Sequence, residues 1–144
     1  MQAERVHERA EQQEQLARVA RAHHRAAHHA ARLQWQSVND PAWLGRADLP
    51  QVAQAWGAAL PYIAQDPAAE RARLTCEDRL RELHPYGMRQ YDRLRHLNVP
   101  PVQAMHEASP YFAREPNPRT GYPAPKRQAL PPAGSWPGKT SPPR

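Results

Sequence analysis

The chain has 144 residues, which is enough for one modest domain with extensions. Hydrophobic residues make up 40% of it, but much of this share is alanine and Phe occurs once, which argues against a large core. The net charge of +6 and the pI near 10.1 favour an acidic partner such as nucleic acid, although a solvated basic surface explains the charge equally well.

The cysteine count and the N-terminal residues indicate the cellular compartment in which we expect the protein. The single cysteine, Cys76, can form neither an internal disulfide nor a cysteine-based zinc site, which is consistent with a reducing compartment. The N-terminal stretch is charged from Glu4 onward and does not predict a secretory signal. No stretch approaches the roughly 20 apolar residues of a membrane span. We therefore expect a cytoplasmic protein with no membrane partner.

Residues 1–38 predict one long charged helix, because Ala, Arg, Glu and Gln dominate and Gly and Pro are absent. Its acids lie before residue 15, and four of its six arginines lie from residue 18 onward, as the helix dipole favours. Its apolar stripe is weak, and large residues at heptad positions are too few to predict a coiled coil. We expect the helix to pack through its alanines against another helix, for example a second copy of itself, or to project. The candidate partner contacts on it are Leu16, Val19 and Leu33.

The same helix carries the sequence HHRAAHH. Only His24 and His28 share a helix face, at a spacing that can chelate a transition metal. His23 and His29 point elsewhere, and no nearby carboxylate completes a site. We expect an exposed polar face, pH-sensitive at most, and no bound metal.

Residues 40–114 predict a compact, irregular helical domain. Asp48 and Asp66 are the expected caps of two helices, and Pro85 is expected to end the second of these and to begin the next. Asn98 is the expected left-handed cap, and Pro110 is expected to begin a separate last turn. The strongest apolar stripe comprises Leu80, Leu83, Met88, Tyr91 and Leu94.

Residues 115–144 predict a disordered, basic tail, since nine of the 17 prolines and five basic residues lie there with one acid. Its Lys126, Arg127 and Lys139 are candidate nucleic-acid contacts, and Trp136 is a candidate partner contact.

The acids of the third helix are the nearest approach to catalytic chemistry. Glu77 and Asp78, with His84, would be the groups of an unrecognised active site. However, Arg73 and Arg81 each lie four residues from Glu77, which favours a salt-bridged solvent face. His84 is expected to have a structural role at a helix end, and Cys76 to be a buried, inert thiol. Phosphate loops and nucleophile motifs are missing from the sequence, so we expect a non-enzyme without a cofactor.

Tyr91 to Phe112 predicts a helix, a short turn and a second helix, which superficially suits a DNA-binding hairpin. The second helix has no arginine to read a guanine edge. Three arginines at and before the first helix could still contact phosphates without reading sequence. They are Arg89, Arg93 and Arg95.

Eighteen arginines against two lysines are typical of a high-GC genome. The segment Trp56–Phe112, with RLRELHPYGMRQYDRLRHL at its centre and PVQAMHEASPYFAR after it, resembles small uncharacterised helical proteins of actinobacteria. That resemblance implies a bacterial helical protein and no particular activity. We expect a non-catalytic interaction or adaptor protein that binds another protein or itself. The alternative is a sequence-nonspecific DNA- or RNA-binding accessory protein.

Overall fold

The computed structural model describes residues 2–114, 119–120 and 122–123. Within residues 2–114 every regular element is helical, which confirms the all-α prediction and the long first helix. The predicted tail, residues 115–144, lies outside the described residues apart from four positions. The elements are α1 (Gln2–Trp35), a 3-10 turn (Gln36–Asn39), α2 (Pro41–Arg46), α3 (Leu49–Ala59), a 3-10 turn (Leu60–Tyr62), α4 (Pro67–Leu83), α5 (Pro85–His96) and α6 (Pro101–Phe112).

The predicted helix starts are confirmed by their hydrogen bonds. The Asp48 carboxylate accepts from the backbone N–H of Gln51, whose side chain accepts from the Asp48 N–H, so the two form a capping box at α3. Asp66 accepts from the backbone N–H of Ala68 at the start of α4. A third cap, Asp40, begins the short helix α2, which the sequence did not predict.

The break at Pro85 is also as predicted. Helix α4 ends at Leu83, and the fully buried His84 then caps α5. Its Nδ1 accepts the Gly87 N–H at 3.0 Å, so its other nitrogen, Nε2, carries the proton donated to the Arg114 carbonyl at 2.6 Å. His84 therefore fixes both the start of α5 and the end of the described domain.

The prediction that Pro110 begins a separate turn was wrong, because α6 continues through it to Phe112. Proline removes the hydrogen bond that the carbonyl of residue 106 would normally accept. That carbonyl, in His106, accepts the hydroxyl proton of Ser109 at 2.7 Å instead. The replacement bond lets the helix continue. At the other end of the α5–α6 turn, Asn98 has the expected left-handed conformation, with φ of 65°.

The core lies between α3, α4, α5 and α6 and contains few large side chains. Trp56, Leu80, Met88 and Tyr91 are among its largest buried side chains. The remaining positions are small, so the helices can approach closely. The alanines buried there are Ala55, Ala59, Ala69, Ala72, Ala104 and Ala108.

Helix α1 is attached to this domain by its C-terminal third. Trp35 is buried, and Ala31 and His28 are partly buried, whereas no residue between Gln2 and Ala27 is buried. A helix of 34 residues is about 50 Å long, so more than half of α1 projects beyond the core. The projection expected from the sequence is therefore present, whereas the packed part of the helix docks mainly through Trp35 and His28 and not through a row of alanines.

Alanine substitution at two helical glycines should change the free energy of unfolding in opposite directions. A Cβ on Gly57 in α3 would meet nothing within 4 Å, so Gly57→Ala is expected to raise the free energy of unfolding by about 0.5–1 kcal/mol. A Cβ on Gly87 would lie 2.6 Å from a ring carbon of Phe112, so Gly87→Ala is expected to lower it by about 1–3 kcal/mol. Urea unfolding of both variants checks this. Equal stabilisation would show that Phe112 does not press on α5.

Candidate functional site

The inner face of α1, defined by His24, His28, Ala31 and Trp35, docks on the domain. The His28 ring stacks on Tyr62 with centroids 4.4 Å apart and planes 7° from parallel. Its Nε2 lies 2.8 Å from the Asp66 carboxylate. The ring centroid of Trp35 lies 5.9 Å from that of His28 and 5.8 Å from that of Tyr62. The prediction that the histidine cluster forms an exposed polar face was therefore wrong for His28.

Asp66 joins two elements, because one carboxylate caps α4 and holds α1. The hydrogen bond with His28 lowers the pKa of Asp66 below its ordinary value, and the Ala68 N–H acts in the same direction against the opposing effect of burial. Arg32 adds a weaker attraction, with its guanidinium 3.8 Å from the carboxylate.

The variant Asp66→Asn is expected to lower the free energy of unfolding by about 1 kcal/mol near neutral pH. Asparagine caps helices as well as aspartate does, so the loss reports the contact with His28. A folded-state pKa below the unfolded value gives stability that is present above pH about 4 and is lost as the pH falls through the folded pKa. Urea unfolding as a function of pH checks this, with Asp48→Asn as the matched capping control. If the stability difference between Asp66→Asn and the unmodified chain persisted unchanged at low pH, the assigned contact between Asp66 and His28 would be contradicted.

The outer seam of α1 comprises Leu16, Val19, His23, Ala26, Ala30 and Leu33, and every one of the six is exposed. Leu16 is 69% exposed, Val19 48% and Leu33 58%. At 100° per residue the seam lies roughly 140° around the helix from the inner face. Docking of α1 therefore leaves the candidate partner contacts uncovered.

The candidate nucleic-acid contacts are not equivalent. Arg89 and Arg93 lie one turn apart on α5, both exposed, and neither forms an ion pair with the described residues. Arg95 is half-buried and donates to the Val99 carbonyl at 2.9 Å, so it holds the turn after α5. The candidates in the tail, Lys126, Arg127, Lys139 and Trp136, lie outside the described residues.

Glu77 does not lie on a solvent face, so that prediction was wrong. It is 3% exposed, and its Oε2 accepts three hydrogen bonds inside the core. The donors are Trp56 Nε1 at 3.0 Å, Arg73 Nη1 at 2.7 Å and the Tyr91 hydroxyl at 2.8 Å. A salt bridge with Arg73 was expected from the spacing, but its burial was not. This buried carboxylate joins α3, α4 and α5.

The other two groups of the proposed acid–base set have different surroundings. The side chain of Asp78 is 77% exposed and is paired with Arg81, whereas both ring nitrogens of His84 are occupied within the fold. Within residues 2–114 no hydrogen bond joins any two of Glu77, Asp78 and His84. The structure does not bring them together as one site.

Cys76 is buried, as predicted, and burial together with the neighbouring Glu77 charge raises the pKa of its thiol to about 12. We expect iodoacetamide to leave the native protein unmodified near neutral pH, because the thiolate is the reactive form. The same reagent should modify the chain fully in denaturant, as followed by mass spectrometry. Rapid modification of the native protein would contradict the burial of this helix face.

An apolar groove of about 350 Å³ separates α3 from α6. Trp56 and Leu80 are among its lining residues, and among the described residues that line it Ser109 carries the hydroxyl group. The other lining residues are Leu49, Pro50, Ala53, Gly57, Met105 and Phe112.

Sequence reasoning missed the inner face and the buried carboxylate. The signal for the first was present: positions 24, 28, 31 and 35 repeat at helical spacing and end in a tryptophan. For the second, no local pattern distinguishes a buried glutamate from an exposed one between two arginines.

The described residues contain no group of three metal-binding side chains and no helix that could cross a membrane. Comparison of the chain with protein-family models, curated proteins and solved structures finds no match. A function for this chain therefore has to be inferred from its own residues.

Proposed function

We propose that this chain is a non-catalytic interaction protein, or adaptor, whose helical domain presents α1 to a protein partner. The observation that carries the proposal is the outer seam. Three large apolar side chains, Leu16, Val19 and Leu33, are at least 48% exposed on a helix that the domain holds by its opposite side.

Burial of the apolar side chains of the outer seam would stabilise a contact with a partner. Full burial of a leucine or valine side chain contributes about 1.5–3 kcal/mol, so three such residues on one face offer a partner helix a useful gain. Among the described residues, nothing buries a side chain of the part of α1 that extends beyond the domain, and isolated helices of this length are marginal in water. A partner along the seam would stabilise the helix as well as bury its apolar residues.

The position of α1 suits an adaptor. Its last third is fixed by Trp35, by the stacked ring of His28 and by the Asp66 carboxylate. These contacts set the direction in which the seam faces without using any seam residue. A partner would therefore meet an oriented helix and would lose less conformational freedom than on binding a loose segment.

Site-specific photo-cross-linking tests the proposal. The photoreactive residue p-benzoylphenylalanine would replace Leu16 or Leu33 in the full chain, and Glu82, exposed on α4, would serve as the control position. We expect protein cross-links from both seam positions, lost when Val19→Lys is added, and none from position 82. Equal cross-linking from all three positions, or none from the seam, would overturn the proposal.

The second candidate function is sequence-nonspecific nucleic-acid binding. It is favoured by the exposed, unpaired pair Arg89 and Arg93 and by the net charge of +6. Fluorescence anisotropy with a random duplex and a random single strand, at about 50 and 200 mM salt, tests it. Binding that weakens steeply with salt and with Arg89→Ala/Arg93→Ala would support this function. No binding at low salt would remove it.

A cytoplasmic location accompanies the proposal, supported by the single, buried thiol of Cys76. Fluorescence microscopy of the tagged chain in bacterial cells would check it.

A further inference from the structure

We propose that single-stranded nucleic acid binds to a surface formed by Tyr86, Arg89, Arg93, Tyr111 and Tyr122, which we call the aromatic–basic surface. This inference rests on the second candidate function, because it names the form of nucleic acid and the residues that bind it. It follows from the packing of the three tyrosine rings, from the face of α5 on which the two arginines lie, and from the pairing of the acids beside them.

Three tyrosines meet at the start of α5. The ring centroid of Tyr86 lies 5.6 Å from that of Tyr111 and 6.3 Å from that of Tyr122, with the planes 63° and 65° apart. An edge-to-face contact covers one face of one ring, so these two contacts leave most ring faces uncovered by the other tyrosines. Tyr122 is 40% exposed, and the other two rings are partly exposed. The cluster can therefore stack against bases.

The two arginines continue from Tyr86 along the exposed face of α5. At 100° and 1.5 Å per residue, Arg93 lies about 20° around the helix from Tyr86 and about 10 Å further along it. Arg89 lies about 60° around the helix from Tyr86 and about 5 Å further along it. A guanidinium group binds phosphate oxygens through a fixed fork of N–H donors. Rings for the bases beside cations for the backbone are the combination with which proteins bind single strands.

The acids beside the arginines leave them available to a phosphate. Asp92 is the acid of α5, and both of its carboxylate oxygens accept from Arg81 at 2.8 Å. Glu107 is an exposed acid of α6, and it forms no ion pair with the described residues. Neither carboxylate neutralises Arg89 or Arg93 within that part of the chain.

The tyrosines favour a single strand over a duplex. Bases inside a duplex are stacked on one another, so their faces are covered, whereas an unpaired base can leave the stack and lie on an aromatic ring. A duplex would meet only the two arginines. Stacking also accepts every base, which agrees with the absence of an arginine on α6 that could read a guanine edge.

Fluorescence anisotropy of the full chain tests the tyrosines. The probes are a labelled oligothymidine strand, which forms no internal base pairs, and a labelled random duplex. We expect tighter binding of the strand. Tyr122→Ala should weaken binding of the strand at least about fivefold, because a stacked base is lost, and should leave binding of the duplex unchanged. Tyr122→Phe keeps the ring and should bind the strand as the unmodified chain does.

The salt dependence of strand binding tests the arginines. Each phosphate contact with a single strand contributes about 0.7 to the slope of log K against log salt concentration, so Arg89→Ala/Arg93→Ala should reduce that slope by about 1.4. The matched control is Arg46→Ala/Arg71→Ala, which removes the same charge from exposed positions on α2 and α4. This control should leave the slope unchanged.

The outcomes separate the inference from the function on which it rests. Equal affinity for strand and duplex, or equal loss of both with Tyr122→Ala, would overturn the single-strand inference and leave nucleic-acid binding standing. Absence of binding to either probe at about 50 mM salt would overturn both. If polyglutamate displaced the strand as effectively as unlabelled oligothymidine of equal charge, the surface would be a site for acidic peptides and the inference would be wrong. The seam cross-links of the proposed adaptor function do not depend on any of these results.

Discussion

Replacing Glu77 by glutamine is expected to lower the free energy of unfolding by about 3–5 kcal/mol. The carboxylate neutralises the buried Arg73 and accepts from Trp56 and Tyr91 at one oxygen. Arg73 keeps a second ion pair, with Glu70, but that carboxylate is only partly buried. Glutamine would leave three buried donors without the charged acceptor that they share, so the expected loss stays near that of breaking a buried ion pair. Urea unfolding followed by circular dichroism measures the change.

The neighbouring acid provides the matched control. Asp78 lies on the same helix, but its side chain is 77% exposed. Asp78→Asn should therefore change the free energy of unfolding by less than about 0.5 kcal/mol. Similar effects of the Glu77 and Asp78 variants would contradict the burial of the Glu77 carboxylate.

Tyr91 has a secondary part in this network. Burial raises the pKa of its hydroxyl above the ordinary value, and the charge and hydrogen bond of Glu77 act in the same direction. The group therefore stays protonated and donates to Glu77 Oε2 at 2.8 Å.

Replacing Trp35 by alanine is expected to lower the free energy of unfolding by about 3–5 kcal/mol and to undock α1. Trp35 is 1% exposed and packs against His28 and Tyr62, so its removal leaves a cavity at the only part of α1 that is packed on the domain within the described residues. Circular dichroism in urea measures the stability without relying on tryptophan fluorescence. Proteolysis near residue 35 would report undocking.

Leu33→Ala is the control for this prediction. Leu33 lies two residues away but is 58% exposed, so in a dilute sample its removal should cost less than about 0.5 kcal/mol. If the Trp35 variant were no less stable than this control, the inner face would not be the docking face.

Local signals in the sequence were sufficient to predict most helix boundaries. Asp48, Asp66 and Pro85 act through contacts a few residues away, and such contacts are readable from spacing. The prediction at Pro110 was wrong because the Ser109 hydroxyl donates to the His106 carbonyl and replaces the hydrogen bond that proline removes. That contact is also local, but it is not one of the usual signals of a helix boundary. The coarse division into a long helix and a helical domain followed from these signals and from composition.

The candidate site was less accessible to sequence reasoning. Leu16, Val19 and Leu33 were predicted as partner contacts, and that remains a prediction. The side of α1 that docks depends on the contacts of His28 with Tyr62 and Asp66, and Asp66 lies 38 residues further along the chain. The same limit applies to Glu77, whose burial depends on Trp56 and Tyr91 on other helices. Contacts between distant segments decide both outcomes. The spacing of positions 24, 28, 31 and 35 indicates a face that could dock, but not the residues that it meets, and no local pattern marks Glu77 as buried.

Amide hydrogen exchange, resolved along α1, tests the central claim that the domain holds this helix by its C-terminal third and leaves the rest of it uncovered. Residues 24–35 should be protected and residues 2–15 should exchange at nearly the intrinsic rate, because among the described residues only the former pack on the domain. Uniform exchange along α1 would contradict both the docking of its last third and the projection of its first part.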